Sequence, residues 1–108
     1  MEGLKISFHR PKGPQTNWNM YIAEFFGVFF LVLTVACNVG SGTAGIFPVL
    51  AIASALMIAV YVFAHVSGGH LNPAVSLGVW LCKDDFTTVD MLLYWLSQMC
   101  GGFAAAGV

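Results

Sequence analysis

Asn72 and Pro73 stand side by side in the stretch HVSGGHLNPAVS, behind Gly68, Gly69 and the histidines His65 and His70. No nucleophile–base pair and no metal-ligand constellation accompanies them in the sequence, so the chemistry they offer is not covalent. It is conformational and electrostatic. Glycine permits backbone shapes that other residues resist. Asparagine is a favoured N-cap and proline a favoured first helical residue, preset in φ and lacking an N–H that would go unpaired. A helix starting there would carry about half a positive charge at its tip. The setting gives this weight, because no Asp, Glu, Lys or Arg occurs between Glu24 and Lys83. A polar break in so apolar a segment suits an element that presents backbone and a dipole end to a passing species. The same residues also suit a loop packed between helices with no passage.

The elements that must position this break are read from hydropathy. Of 108 residues, 58% are hydrophobic and 8% charged, against about 25% charged in ordinary soluble domains. The expected environment is therefore a lipid bilayer. A net charge of -1 leaves no basic surplus for nucleic acid. Cys37, Cys82 and Cys100 are an odd count and read as small packing residues. No cleavable signal peptide is expected, since the first apolar run is too long for a signal core and contains an acid.

Residues 1–17 form a polar tail with Lys5, Arg10 and Lys12, predicted to be cytoplasmic, and Thr16 or Asn17 can cap the first helix. The unit proper is 18–108. Its first span is predicted at about 18–39, broken by the small residues of Gly40–Gly45, and its second at about 46–66. A third is predicted at about 88–108, opened by a capping box in TTVD (Thr87–Asp90). Two crossings return the chain to the cytoplasmic side, where Lys83, Asp84 and Asp85 mark an exit into water.

Residues 67–81 must then leave one face and return to it. As a single helix they would rise about 22 Å, short of a hydrocarbon core of about 30 Å. Divided at Asn72, five extended residues reach roughly 16 Å, and ten helical ones return about 15 Å. The arithmetic describes a re-entrant loop with its vertex near the midplane. Non-helical backbone at that depth is tolerated only inside protein or against a wet cavity.

These stretches resemble the major intrinsic proteins, the aquaporin and aquaglyceroporin family. SGGHLNPAVSLG looks like the family's first Asn-Pro-Ala box, AEFFGVFFLVLT (Ala23–Thr34) its first helix, and YWLSQMCGGFAAAG (Tyr94–Gly107) its third. The resemblance implies an all-α membrane protein: an aquaporin-like right-handed helical bundle, first half-repeat, of three transmembrane helices and one re-entrant half-helix. It implies that Asn72, Pro73 and Ala74 form the box, and that Gly68, Gly69, His70 and Leu71 line the pore with their carbonyls. Glu24 matches the buried acid that accepts amides of the loop. A lone charge at that depth would need such donors. Ile52 falls at the selectivity constriction, where an aliphatic residue suggests a wider opening than in many water-selective members. Leu56 and Leu31 are wall candidates that ordinary packing would equally explain. His65 and His70 are read as loop-supporting hydrogen-bond partners in preference to a metal pair.

The family fold is an inverted repeat of two halves, and this sequence matches one. The leading expectation is a passive channel for water and small neutral solutes such as glycerol, with no enzymatic activity and no cofactor. A second half-repeat, from the same polypeptide or another chain, would complete the pore. The alternative is a truncated, non-conducting subunit of a larger membrane complex. Family likeness implies a homotetramer or larger membrane assembly, and GGFAAAG offers small residues for close helix contact.

Overall fold

The computed structural model describes residues 18–42, 45–83 and 86–108. The tail at 1–17, its capping residues Thr16 and Asn17, and the acids Asp84 and Asp85 lie outside the described residues. Four α-helices and no strands are found among those described: α1 (Trp18–Gly40), α2 (Ile46–Ser67), α3 (Pro73–Cys82) and α4 (Thr88–Ala106). The spans expected at about 18–39, 46–66 and 88–108 correspond in position to α1, α2 and α4.

Composition explains the exposed surfaces. α1 and α2 have mean hydropathies of 2.1 and 2.5 and are long and apolar enough to cross a membrane. At 23 and 22 residues they rise about 34 and 33 Å. α2 buries only Ala59 and Ser67 and leaves a nearly continuous apolar surface uncovered. That surface would be a liability in water and is ordinary in lipid. α4 has 19 residues and is interrupted on its inner face by Asp90 and Gln98.

α1 is the hub, packed against α2 on one side and α4 on the other. Ser67 meets Glu24, Phe63 approaches Gly27 and Ala59 packs on Val28, so α2 runs antiparallel to α1. Tyr21 meets Asp90, Glu24 meets Gln98 and Phe25 meets Gly101, so α4 runs parallel to it. The α1–α4 approach depends on Gly101, where a β-carbon would overlap the Phe25 carbonyl oxygen. Buried α4 residues Asp90, Met91, Tyr94, Gln98, Gly101 and Ala105 recur every three or four positions, one stripe of a helix facing a neighbour.

α3 packs chiefly on α4. Trp95 Nε1 donates to the Pro73 carbonyl at 2.9 Å, near α3's start, and Trp80 Nε1 donates to Thr88 Oγ1 at 3.1 Å, near its end. α3 is therefore antiparallel to α4 and begins level with the middle of α4. Met20 and Tyr21 of α1, Met91 and Tyr94 of α4 and Phe86 between α3 and α4 form the principal core, with Val79 and Trp80 of α3 packed against it. At the start of α4, Thr87 Oγ1 accepts the Asp90 N–H at 3.1 Å while its hydroxyl donates to Asp90 Oδ2 at 2.8 Å. Asp90 Oδ1 also takes the Tyr21 hydroxyl at 3.0 Å, which ties this cap to α1.

Candidate functional site

Glu24 is fully buried. It lies on the α1 face shared by α2 and α4, and its carboxylate meets four donors. Oε1 takes the Ser67 hydroxyl at 2.7 Å and the His70 N–H at 3.0 Å. Oε2 takes the Leu71 N–H at 2.8 Å and Gln98 Nε2 at 2.8 Å. An ionised carboxylate is an acceptor with about four lone-pair sites, and here each oxygen holds two donors. Hydrogen bonds to a charged group are worth about 1.5–3 kcal/mol each. They offset the cost of keeping an acid away from water.

The segment joining α2 to α3 is shaped around that carboxylate. Gly68 caps α2 in the left-handed conformation at φ 90°, its N–H returning to the Ala64 carbonyl. Gly69 follows at φ 62° and Leu71 at φ 54°. The extended leg of roughly 16 Å expected for Ser67–Leu71 is not formed. Three positive φ angles curl the chain, so the Ser67 hydroxyl and the Leu71 N–H reach the same carboxylate. The reason is a distant acceptor: N–H groups that must be satisfied in a buried setting find one carboxylate on α1, and the backbone wraps it. Leu71 bears the strain of a conformation that costs a non-glycine residue about 1–2 kcal/mol. Its N–H bond and its side chain hold it there, the latter seated where a β-carbon on Gly27 would overlap it.

A second layer fixes the first. Ser67 Oγ accepts the Gly69 N–H at 3.2 Å, and the Ser67 carbonyl takes the Tyr94 hydroxyl at 2.6 Å. Gln98 Nε2 also donates to Ser76 Oγ at 3.0 Å, and that oxygen pairs with His70 Nδ1 at 2.9 Å. The imidazole of His70 sits against Phe86 and Tyr94, with ring centroids 5.2 and 4.9 Å away.

Asn72 then starts α3. Its φ and ψ of -156° and 129° are those of an N-cap, and Oδ1 accepts the Ala74 N–H at 2.8 Å. That bond turns the carboxamide so that Nδ2 is left as a donor on an exposed residue. Pro73 and Ala74 are exposed beside it.

Of the residues singled out by sequence, Glu24, Gly68, Gly69, His70, Leu71, Asn72, Pro73 and Ala74 are gathered into this arch. The others stand apart. His65 is exposed on the last turn of α2 and has no hydrogen bond to the arch among the described residues. Ile52 and Leu56 precede Ser67 by 15 and 11 positions, about 22 and 16 Å along α2. Leu31 is half-buried about 10 Å beyond Glu24 on α1. Sequence reasoning missed Ser67, Ser76, Tyr94 and Gln98. A signal existed for Gln98, the one amide in the buried stripe of α4. None marked Ser67, whose partner is 43 positions away.

A family model described as major intrinsic protein matches residues 13–108. An aquaglyceroporin of Toxoplasma gondii is 33% identical over 90 residues, covering 83% of this chain and 34% of its own length. An aquaporin Z of Photorhabdus laumondii is 36% identical over 95 residues, covering 80% and 40%. The aquaporin PIP2-4 of Zea mays is 34% identical over 113 residues, covering 86% and 39%. The chain thus spans between about a third and two fifths of the length of these curated relatives. No solved structure matches it.

Proposed function

We propose, since this chain belongs to the major intrinsic protein family, that it supplies the first half of a passive pore for water and small neutral solutes such as glycerol. Members of the family are channels and integral membrane proteins. The observation that carries the reading is the division of labour between Glu24 and Asn72. The N–H groups of Gly69, His70 and Leu71 turn inward to Ser67 and Glu24. In this reading the carbonyls of Gly68, Gly69 and Leu71 face the lumen. Asn72 spends its oxygen on α3 and offers its Nδ2 hydrogens to a permeant. Acceptors followed by a donor beside the positive end of a helix fit a single file of neutral hydrogen-bonding molecules and disfavour cations.

In this reading α1, α2 and α4 cross the bilayer, the N-terminus is cytoplasmic, and α3 reaches only to mid-depth. Ile52, Leu56 and Leu31 line the wall at other heights. A second half-repeat closes the lumen, and such units assemble as tetramers. The test is osmotic swelling of proteoliposomes holding the chain with a complementary half. Water permeability well above that of protein-free vesicles is expected. Permeability at the protein-free level would instead make the chain a structural subunit.

A further inference from the structure

α3 is a short rod whose tip has little packing to hold it. Of its ten residues only Ser76 is buried, and Asn72, Pro73 and Ala74 at its start are exposed. Burial within the chain therefore does little to fix where Asn72 stands, and side-chain ties must do it. Two reach the first turn of α3 from α4. Trp95 Nε1 donates to the Pro73 carbonyl at 2.9 Å on the exposed flank, and Gln98 Nε2 donates to Ser76 Oγ at 3.0 Å on the buried flank.

The two ties cross. α3 and α4 are antiparallel, yet the earlier residue of α4 holds the earlier residue of α3, and the later holds the later. Three positions of helix rise about 4.5 Å on each side, so the two bonds differ in slant by about 9 Å along the axis. One tie keeps α3 from sliding toward one end of α4, and the other keeps it from sliding back. Gripped on both flanks, the rod also resists rolling about its own axis.

The bond at Pro73 is not required to satisfy its acceptor. A carbonyl inside a helix serves the N–H four residues on, and the indole of Trp95 takes the second lone pair of that oxygen. What the bond controls is place, because it lands one residue from Asn72. On the other side in sequence, the Leu71 N–H is held by Glu24 of α1 at 2.8 Å. Asn72 thus stands between a tether from α1 and a tether from α4, with its own Oδ1 fixed to the Ala74 N–H.

We infer that Trp95 is a positioning residue for permeation: by clasping the Pro73 carbonyl, its indole N–H sets the height at which the Asn72 Nδ2 donors meet the permeant. The inference rests on the half-pore reading and names a residue that acts through Pro73 and Asn72, not on the permeant. Trp80 supplies the internal comparison. Its Nε1 donates to Thr88 Oγ1 at 3.1 Å near the far end of α3, about 12 Å of helix from Asn72.

The test compares Trp95→Phe with Trp80→Phe in the full chain. Each removes an indole N–H and keeps an aromatic ring, and the two variants should unfold at closely similar temperatures. In the chain alone in detergent, the ¹⁵N order parameter of the Asn72 side-chain amide should fall in Trp95→Phe and hold in Trp80→Phe. In proteoliposomes that also carry the C-terminal half of the Photorhabdus aquaporin Z, water permeability per folded channel should fall severalfold in Trp95→Phe and hold in Trp80→Phe. An unmoved Asn72 amide, or a flux unchanged by its loosening, overturns the inference while the half-pore reading stands. Equal effects of the two variants, or a Trp95→Phe chain that alone fails to fold, make the indole bond a general support of α3 and overturn it as well. Absence of water flux with the unaltered chain would remove the half-pore reading itself, and the inference with it.

Discussion

The Glu24 carboxylate accepts the N–H of Leu71 at 2.8 Å, across 47 positions of chain, and so holds a leucine at φ 54°. One acid on α1 therefore sets the backbone that leads into Asn72. The curl of the arch and the start of α3 both depend on it. This is why a charged group sits fully buried in a helix that otherwise suits lipid. Its energetic role is to gather donors from α2, the arch and α4 at one point.

Glu24→Gln tests that role with almost no change of shape. The new amide brings two N–H groups into a site where four donors already converge. Two of those donors lose their acceptor, at about 1–3 kcal/mol each. The variant should unfold at a clearly lower temperature in detergent and lose most of its water permeability with the complementary half. Glu24→Asp keeps the charge one methylene short and should fall between the two. An unaltered melting temperature in Glu24→Gln would show that the four bonds are not what holds the arch.

Asn72→Asp separates capping from permeation. Aspartate caps helices about as well as asparagine, so α3 should persist and helix content by circular dichroism should not change. The Nδ2 donors vanish, however, and an anion replaces them at the helix tip. Water flux should fall and cation conductance should rise in vesicles containing the completed pore. If neither changes, Asn72 does not face a conducting path.

Tyr94→Phe removes one oxygen and no packing volume. The Ser67 carbonyl loses the hydroxyl that meets it at 2.6 Å, and a hydrogen bond lost in this way costs about 0.5–1.5 kcal/mol. The melting temperature should drop while water flux per folded channel stays constant, because Tyr94 braces the arch from behind. A loss of flux at full folding would instead place this hydroxyl in the conduction path.

How far these relationships could be read beforehand depends on their range in the chain. The Asn72 cap and the bent glycines at 68 and 69 are local, so residue type alone pointed to them. Helix positions followed from hydropathy runs, which are local too. The partners of Glu24 are not local. Ser67 and Gln98 lie 43 and 74 positions away, and only the packing of α2 and α4 on α1 brings them in. The expected extended leg failed for a related reason. Length arithmetic assumed that Ser67–Leu71 must itself cover the depth, whereas α2 runs on to the level of Glu24 before the chain turns.

Two glycines of the same type make opposite predictions, which tests the packing directly. At Gly101 a β-carbon would overlap the Phe25 carbonyl oxygen, a backbone atom that cannot swing aside. Gly101→Ala must push α1 and α4 apart, and overpacking of this kind costs about 1–3 kcal/mol. The shift would also move Glu24 away from Gln98, so loss of stability and loss of flux should come together. At Gly78, in α3, nothing lies within 4 Å of the added carbon. Gly78→Ala should therefore stabilise the chain by about 0.5–1 kcal/mol through the helix backbone alone. Thermal unfolding of both variants beside the unaltered chain decides the matter. Equal effects of the two substitutions would mean that α1 and α4 do not approach as closely as Gly101 allows.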